Sequence, residues 1–252
     1  FIAKPIDFPV IVKPNYGDSS VGITVDSVCY DVRQLEHAIA KAREATGFDR
    51  PVLVEEFLTG KDISVGIIGN PSGAIEFLPI IEEDYSMLPP GLPHICGYEA
   101  KWDPASPYWQ IRSVPAGLGE ATEQFLQASC LKLFERLDCR DYARFDWRLD
   151  DNGTPRLLEV NPNPGWCWDG HLAKMAKLAD ISYSGMLSRI LQAAIQRHQV
   201  VAAAGISNEL IALCYQLGVL ILPPLVPIIL WVLANWTLIE QFTGWQKNTD
   251  SK

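Results

Sequence analysis

The chain is predicted to adopt an α+β fold, and three observations lead there. Short apolar runs bounded by turn residues recur at Phe8–Lys13, Pro51–Phe57, Ile63–Gly69 and Ala74–Ile81. They have the length of strands, not of helices. Three other segments repeat their apolar residues every three or four positions, as amphipathic helices do. The strand runs pair mostly through short connections, so mostly antiparallel sheets with helices on one face are expected.

In chain order, FPVIVK is a buried strand that delivers Lys13 at its end. After Pro14, residues Asn15–Gly22 form a hydroxyl-rich loop that leads into a strand at Ile23–Val25. Gly and Ser beside a Lys can wrap backbone N–H groups and hydroxyls around phosphate oxygens. An ordinary polar hairpin loop suits the same residues, and the pattern G-x-x-x-x-G-K-[ST] occurs nowhere. Asp31 opens a helix, with Gln34 completing a pair like a capping box. Its stripe is Val32, Leu35, Ala38, Ile39 and Ala42, and Gly47 stops it.

The strand Pro51–Phe57 ends in two acids and an aromatic. Gly60-Lys61-Asp62 turns into Ile63–Gly69, which pairs through Asn70–Gly73 with Ala74–Ile81. A strand, a linker and a strand can hold an adenine by main-chain hydrogen bonds, with an acid for the ribose hydroxyls. Glu55 and Asp62 have that chemistry, and solvated turn residues would look the same. Glu82–Pro93, rich in acid and proline, is expected to be a surface loop. A helix of about Glu120–Leu137 should turn Phe125, Leu126, Leu133 and Leu137 inward. A last helix, Ser182–Ala194, carries Met186, Leu187, Ile190 and Leu191 on its stripe.

The most informative stretch is Tyr142–Gly165, two strands joined at Asn152-Gly153, the pair favoured in a type I′ hairpin turn. If those two residues are the whole loop, Asp151 faces Thr154. Asp146 then faces Glu159 and Arg144 faces Asn161, all on one side because side chains alternate along a strand. Phe145, Trp147, Leu158 and Val160 take the other side and suit a core. Two carboxylates facing each other destabilise a hairpin. A divalent cation removes that objection, since Mg²⁺ accepts a few carboxylate or amide oxygens and completes its shell from phosphate and water. A solvated hairpin face is the plainer alternative; Arg144 and Asn161 beside the acids favour a metal–phosphate site.

Composition narrows the classes. At 252 residues and 48% hydrophobic, the chain can bury a substantial core. Its net charge of -9 excludes a nucleic-acid-binding surface as the first expectation. Six scattered cysteines, with no C-x-x-C pair, argue against zinc and against a disulfide framework, so a reducing, cytoplasmic setting fits. Cys130 and Cys139 are expected to be small buried apolar residues. The chain opens at Phe1 and enters a strand almost at once, which suggests the remainder of a longer protein.

Six segments together carry a family resemblance: Val12-Lys13-Pro14 with Ser19-Ser20-Val21-Gly22; Val54-Glu55-Glu56-Phe57-Leu58-x-Gly60; Tyr98-Glu99-Ala100-Lys101; Pro115-Ala116-Gly117-Leu118; Ala143-Arg144-Phe145-Asp146; and Leu158-Glu159-Val160-Asn161-x-x-Pro164-Gly165. In order and spacing they resemble the ATP-grasp superfamily, and within it the D-alanine–D-alanine ligase-like branch, over about Pro9 to Gln196. The resemblance implies two α+β subdomains clasping ATP. Residues 1–58 would be part of the central subdomain, 59–198 the C-terminal catalytic subdomain, and 199–252 an apolar tail. The family's N-terminal substrate domain would be missing.

Carried over, Lys13 and Lys101 would grip the ATP phosphates, and Ser19, Ser20, Val21 and Gly22 would close over the γ-phosphate. Glu55 would meet the adenine amino group, the backbone at Glu56 and Leu58 would complete the adenine site, and Asp62 would take the ribose position, more often Glu. Asp146, Glu159 and Asn161 would hold two Mg²⁺ (or Mn²⁺), with Glu159 bridging. Arg144 and the N–H of Gly165 would stabilise an oxyanion. The implied reaction is ATP-dependent carboxylate–amine ligation through an acyl phosphate, on small-molecule substrates.

One departure concerns the second substrate. Where the D-alanine ligases carry a serine–leucine pair, this chain has Gly170 and His171, preceded by Trp166, Cys167, Trp168 and Asp169. Asp169 could receive an ammonium group and the Trp faces a cation or aromatic group; packing beneath the hairpin would explain the tryptophans equally. Leu210–Ile239 contains no charged residue. That is long enough for a membrane helix of about 20 residues, although Pro223, Pro224 and Pro227 would kink it. Docking of this segment onto the catalytic domain or a second subunit, a homodimer included, is the other expectation.

Overall fold

The computed structural model describes residues 7–198 apart from 18, 48 and 72. The chain starts with β1 (Val10–Pro14), passes through a 3-10 turn at Val25–Ser27 into β2 (Val28–Cys29), and continues through α1 (Val32–Thr46) to β3 (Val52–Glu56). These strands form an antiparallel sheet in the order β2-β1-β3. Alternation sorts its two faces. Val10 and Val12 pack with Val52 and Val54 under Leu35, Ala38, Ile39 and Ala42 of α1. Ile11 faces the other way, with Val28, Phe57, Ile95 and Tyr108. Lys13, two residues beyond Ile11, shares that second face.

The strand expected at Ile23–Val25 does not form. Thr24 accepts from the Ser27 amide and takes the Ser27 hydroxyl on its own N–H. The Ile23 carbonyl accepts from Tyr98 N–H at 2.7 Å, so the groups a ladder would need are already used. Asp31 caps α1 by accepting from Gln34 N, and the Gln34 side chain reaches back to Tyr30 N. Val32 is 59% exposed because the first helical residue precedes the turn that docks.

The second sheet comprises β4 (Asp62–Gly69), β5 (Ile75–Phe77), β6 (Ile81–Asp84), β7 (Arg112–Pro115), β8 (Tyr142–Leu149) and β9 (Pro155–Asn161), in the order β7-β6-β4-β8-β9, with β5 also on β4. The run expected as one strand at Ala74–Ile81 is two. Between them lies Leu78-Pro79-Ile80, and Pro79 has no N–H to donate to a ladder. Glu82–Asp84 is strand, not the start of a surface loop, and Tyr85 after it is buried. The acids are tolerated because tertiary partners meet them: Lys61 pairs with Glu82, and Ser113 donates to Glu83.

Between β6 and β8 come α2 (Tyr98–Trp102), a 3-10 turn at Pro107–Gln110, and α3 (Glu120–Arg136). The buried stripe of α3 is Leu126, Cys130 and Phe134, each fully enclosed. Phe125 and Leu137 were expected inward and are about half exposed. Phe125 lies one position off the stripe, edge-on to the Trp147 ring, and Leu137 lies past the helix end. After β9 follow α4 (His171–Leu178), which the sequence reading did not anticipate, and α5 (Tyr183–His198).

The described residues divide into two compact units, one of 7–66, 79–131 and 144–161, the other of 67–78, 132–143 and 162–198. In the second, Leu172, Ala173, Met175 and Ala176 of α4 and Met186, Ile190 and Leu191 of α5 are buried. Asp141 ties this unit together: it accepts a two-pronged contact from Arg197 at 2.8 and 2.6 Å and bonds Asn70, which also donates to Ala193 O. Cys29, Cys96, Cys130, Cys139 and Cys167 are free thiols, with Cys130 and Cys139 buried as expected. Burial pushes the Cys130 thiol up to about 12. Among the described residues no helix is long and apolar enough to cross a membrane; the segment 210–239 lies outside them.

Candidate nucleotide and metal site

The expected hairpin forms, but by a different route. Its loop has three residues, Asp151–Gly153. Asp150 N–H donates to Thr154 O, and the Asp150 carboxylate accepts from Asn152 N, Thr154 N and Arg156 Nε. The Thr154 amide holds the Asp150 carboxyl below its usual range. Gly153 sits at φ +76, and a three-residue loop with a left-handed glycine is a regular hairpin connection. The extra loop residue shifts the register by one. A bulge between Asp146 and Trp147 shifts it back: Trp147 pairs with Leu157, Asp146 with Glu159 and Arg144 with Asn161. Leu158 is the spare residue and is 41% exposed, not in the core. Phe145 and Trp147 are buried as expected.

The two acids do face each other, and a protein cation lies between them. Arg144 forks onto Asp146, Nε to Oδ1 at 2.8 Å and Nη2 to Oδ2 at 2.7 Å, and its Nη2 is 3.8 Å from Glu159 Oε1. Burial would lower the Arg144 pKa; the hydrogen bonds and charge of Asp146 outweigh it and raise it. Asn161 Nδ2 donates to both acids, at 3.1 Å to Asp146 and 2.7 Å to Glu159. Ser64 Oγ, from β4, donates to Asp146 Oδ1 at 2.7 Å. Arg144 and Asn161 thus ease the repulsion between the two carboxylates.

The donor set still suits a hard cation. Among the described residues no three of His, Cys, Asp and Glu converge. A metal here would take two carboxylates and the Asn161 amide oxygen after a half-turn of that amide, an assignment set by its hydrogen bonds. Its remaining ligands would have to be water or phosphate, as Mg²⁺ prefers.

The serine loop is held from α2. Ser19 and Ser20 adopt φ of 55 and 61, and Gly22 a φ of 77. A left-handed conformation costs a non-glycine residue about 1–2 kcal/mol, so something must hold the two serines there. Lys101 Nζ donates to Ser20 Oγ at 2.7 Å, Ser20 Oγ donates to Cys96 O, and the Trp102 indole donates to Ser19 O at 3.2 Å. At Gly22 a Cβ would sit 2.7 Å from the Pro14 ring.

Lys13 forms an ion pair with Glu55 at 2.5 Å, so the residue expected at the phosphates and the one expected at the adenine amino group hold each other. Glu56 is exposed and Leu58 half-buried. Asp62 accepts from Tyr85 OH at 2.8 Å and lies 3.5 Å from Arg148 Nη1. Burial raises its pKa, opposed first by Arg148 and then by Tyr85; the charges of Asp146 and Lys101 also reach it. These residues all belong to the first unit.

Gly165, Trp166, Trp168, Asp169, Gly170 and His171 belong to the second. Trp166 O accepts from Tyr183 OH at 2.6 Å, and Trp168 is 75% exposed. Gly170 is the N-cap of α4, where a Cβ would come within 3.0 Å of Cys167 Sγ, and His171 is the first helical residue.

Sequence reasoning missed Ser64, Arg148, Tyr85, Lys61 and Trp102. Two of them carried a signal: Ser64 lies two residues after Asp62 and Arg148 two after Asp146, so each shares its neighbour's face. Tyr85 and Trp102 carried none, because their partners come from distant segments.

A family model described as D-ala D-ala ligase C-terminus matches residues 2–192. A second, described as exosortase H-associated membrane protein, matches residues 178–238. The chain is 32% identical to the Sinorhizobium fredii protein y4sG over 76% of its own length and 53% of that protein. It is 34% identical to the D-alanine–D-alanine ligase of Trichlorobacter lovleyi, over 74% of its own length and 53% of that enzyme. The crystal structure of the Bacillus anthracis D-alanine–D-alanine ligase complexed with ATP superposes with a TM-score of 0.56 at 25% identity, covering 76% of this chain and 54% of that one. The chain thus spans about half the length of the curated relatives it matches. With its two mostly antiparallel sheets, its α+β architecture and a family match over three quarters of its length, it belongs to the family of the D-Ala–D-Ala ligase C-terminus, with the ATP-grasp fold.

Proposed function

We propose that this chain is the ATP- and metal-binding part of an ATP-dependent carboxylate–amine ligase that works through an acyl phosphate. The observation that supports it most is the face shared by Arg144, Asp146, Glu159 and Asn161. Asp146, Glu159 and Asn161 would hold Mg²⁺, up to two ions, which would supply charge neutralisation at the transferring phosphoryl group. Lys13 and Lys101 grip the phosphates and Ser19–Gly22 closes over them, with Ser20 nearest the reacting group. Binding ATP requires Lys13 and Glu55 to part, freeing Glu55 for the adenine amino group beside the backbone of Glu56 and Leu58. Asp62 takes the ribose. Arg144 and the N–H of Gly165 stabilise the oxyanion as the amine attacks.

The second-substrate pocket is built from Trp166, Trp168, Asp169, Gly170 and His171, and differs from a D-alanine carboxylate site. Residues 1–58 and 59–198 act as the two ATP-grasp subdomains. The test is ADP release with Mg-ATP and a panel of amino acids: release that depends on an amino acid supports the ligase, and none with any of them overturns it.

A second reading has its own support. Most of the chain's charge-free segment 210–239 falls within the match to the membrane-protein model, which covers residues 178–238. On that reading the protein binds ATP without turnover, anchored to a membrane. ATP binding without ADP release, together with co-sedimentation with lipid vesicles that truncation before residue 199 abolishes, would favour it.

A further inference from the structure

Arg148 has no part in the function proposed above, yet it is the most enclosed charge on the site face. It follows Asp146 by two residues on β8 and is 5% exposed. Its Nη2 donates to His94 O at 2.5 Å, and its guanidinium lies 5.0 Å over the Phe57 ring and 5.9 Å over the Tyr85 ring. Tyr85 in turn stacks on His94, with centroids 5.0 Å apart and planes 6° from parallel. Burying a guanidinium demands a partner, and this one is held by a carbonyl, two aromatic faces and Asp62.

The grip on Asp62 is one-sided. Arg148 Nη1 and Tyr85 OH both address Oδ2, at 3.5 and 2.8 Å, while Oδ1 takes no partner among the described residues. A carboxylate so clamped cannot rotate freely, and its second oxygen stays an unused acceptor. Gly60 keeps the segment before it close-packed: its N–H donates to Leu149 O, where a Cβ would sit at 2.5 Å. A mobile acid would instead lose rotamer entropy on every ligand hydroxyl it engaged.

We propose that Arg148, with Tyr85, is a positioning residue for the ribose: the two clamp one oxygen of Asp62 and present the other to the sugar hydroxyls. This rests on the ATP reading of the site. Arg148 acts through Asp62 and not on the nucleotide. Its loss therefore erases discrimination between ribose and deoxyribose more than it weakens the triphosphate grip.

The test uses the full chain and calorimetric titration of ATP and 2′,3′-dideoxyATP with Mg²⁺. A hydroxyl bonded to a carboxylate is worth roughly tenfold or more in affinity, so the wild type should prefer ATP by about that factor. Arg148→Met and Tyr85→Phe should bring the ratio close to one, and Arg148→Lys should restore part of it. Tyr85→Phe keeps the ring and carries the test if Arg148→Met does not fold. A preference retained in both Arg148→Met and Tyr85→Phe overturns the inference and leaves the ATP reading standing. A wild type that binds ATP without any preference also overturns it, and one that binds no ATP removes the ATP reading itself.

Discussion

The carboxylate hairpin and the serine loop are both polar, yet they are held in opposite ways. In the hairpin, Asp146 meets Arg144 two residues away and Asn161 across the strand. Its turn is built by Asp150 from its own neighbours. In the serine loop, two strained residues are held from more than eighty positions away, by Lys101 and Trp102. Arg144 and Asn161 lie within the hairpin, with Ser64 joining Asp146 from outside it, whereas the serine loop rests on Lys101, Trp102 and the Cys96 carbonyl, all distant in sequence. That contrast bears on the proposed function, which asks for a fixed acid face and a loop that closes.

The largest test of it is Asp146→Asn. Amino-acid-dependent ADP release should fall on the order of 10²–10³-fold. The free energy of unfolding should also drop, by about 2 kcal/mol, because Arg144 is left half-buried with a weaker partner. Lys101→Met should cost about 10² in the same rate, with the melting temperature nearly unchanged, since Lys101 is exposed. A large stability loss there would mean that the lysine is structural and the loop no lid.

Two glycines separate local from tertiary constraint. Gly22→Ala meets both a left-handed φ and the Pro14 ring and should destabilise by about 2–3 kcal/mol, whereas Gly153→Ala meets only φ and should cost about 1 kcal/mol. Denaturant midpoints would check the order. The smallest effect concerns pH. Burial raises the Asp62 pKa, so stability falls as pH rises from its unfolded value through its folded one, and Asp62→Asn should flatten that fall. The Asp150 carboxyl is held low, so its contribution is present above the unfolded value and lost on acidification; Asp150→Asn should flatten the acid limb instead.

What could be read in advance follows the same division. The facing of Asp146 and Glu159 was legible because strand alternation is covalent geometry. Even so, it was reached through a two-residue loop that the chain does not make, and the bulge at Leu158 compensated. Glu82–Asp84 was taken for a loop because composition cannot show that Lys61, Ser113 and a partner strand will meet those acids. In α3 the expectation held for Leu126 and failed for Phe125 and Leu137, since periodicity places an apolar arc but not its edges. α4 went unseen behind the aromatic segment that precedes its Gly170 cap.

By itself, the order of residues determined the antiparallel α+β class, the position of Lys13 near a strand end, and the row Arg144, Asp146, Arg148 on one side of β8. These rest on periods of 2 and 3.6 built into the backbone. Only the folded chain decided that Ser64 supports Asp146 and that Tyr85 and Arg148 grip the same oxygen of Asp62. Such contacts join segments tens of residues apart, and no local rule ranks one distant partner above another until packing has excluded the rest.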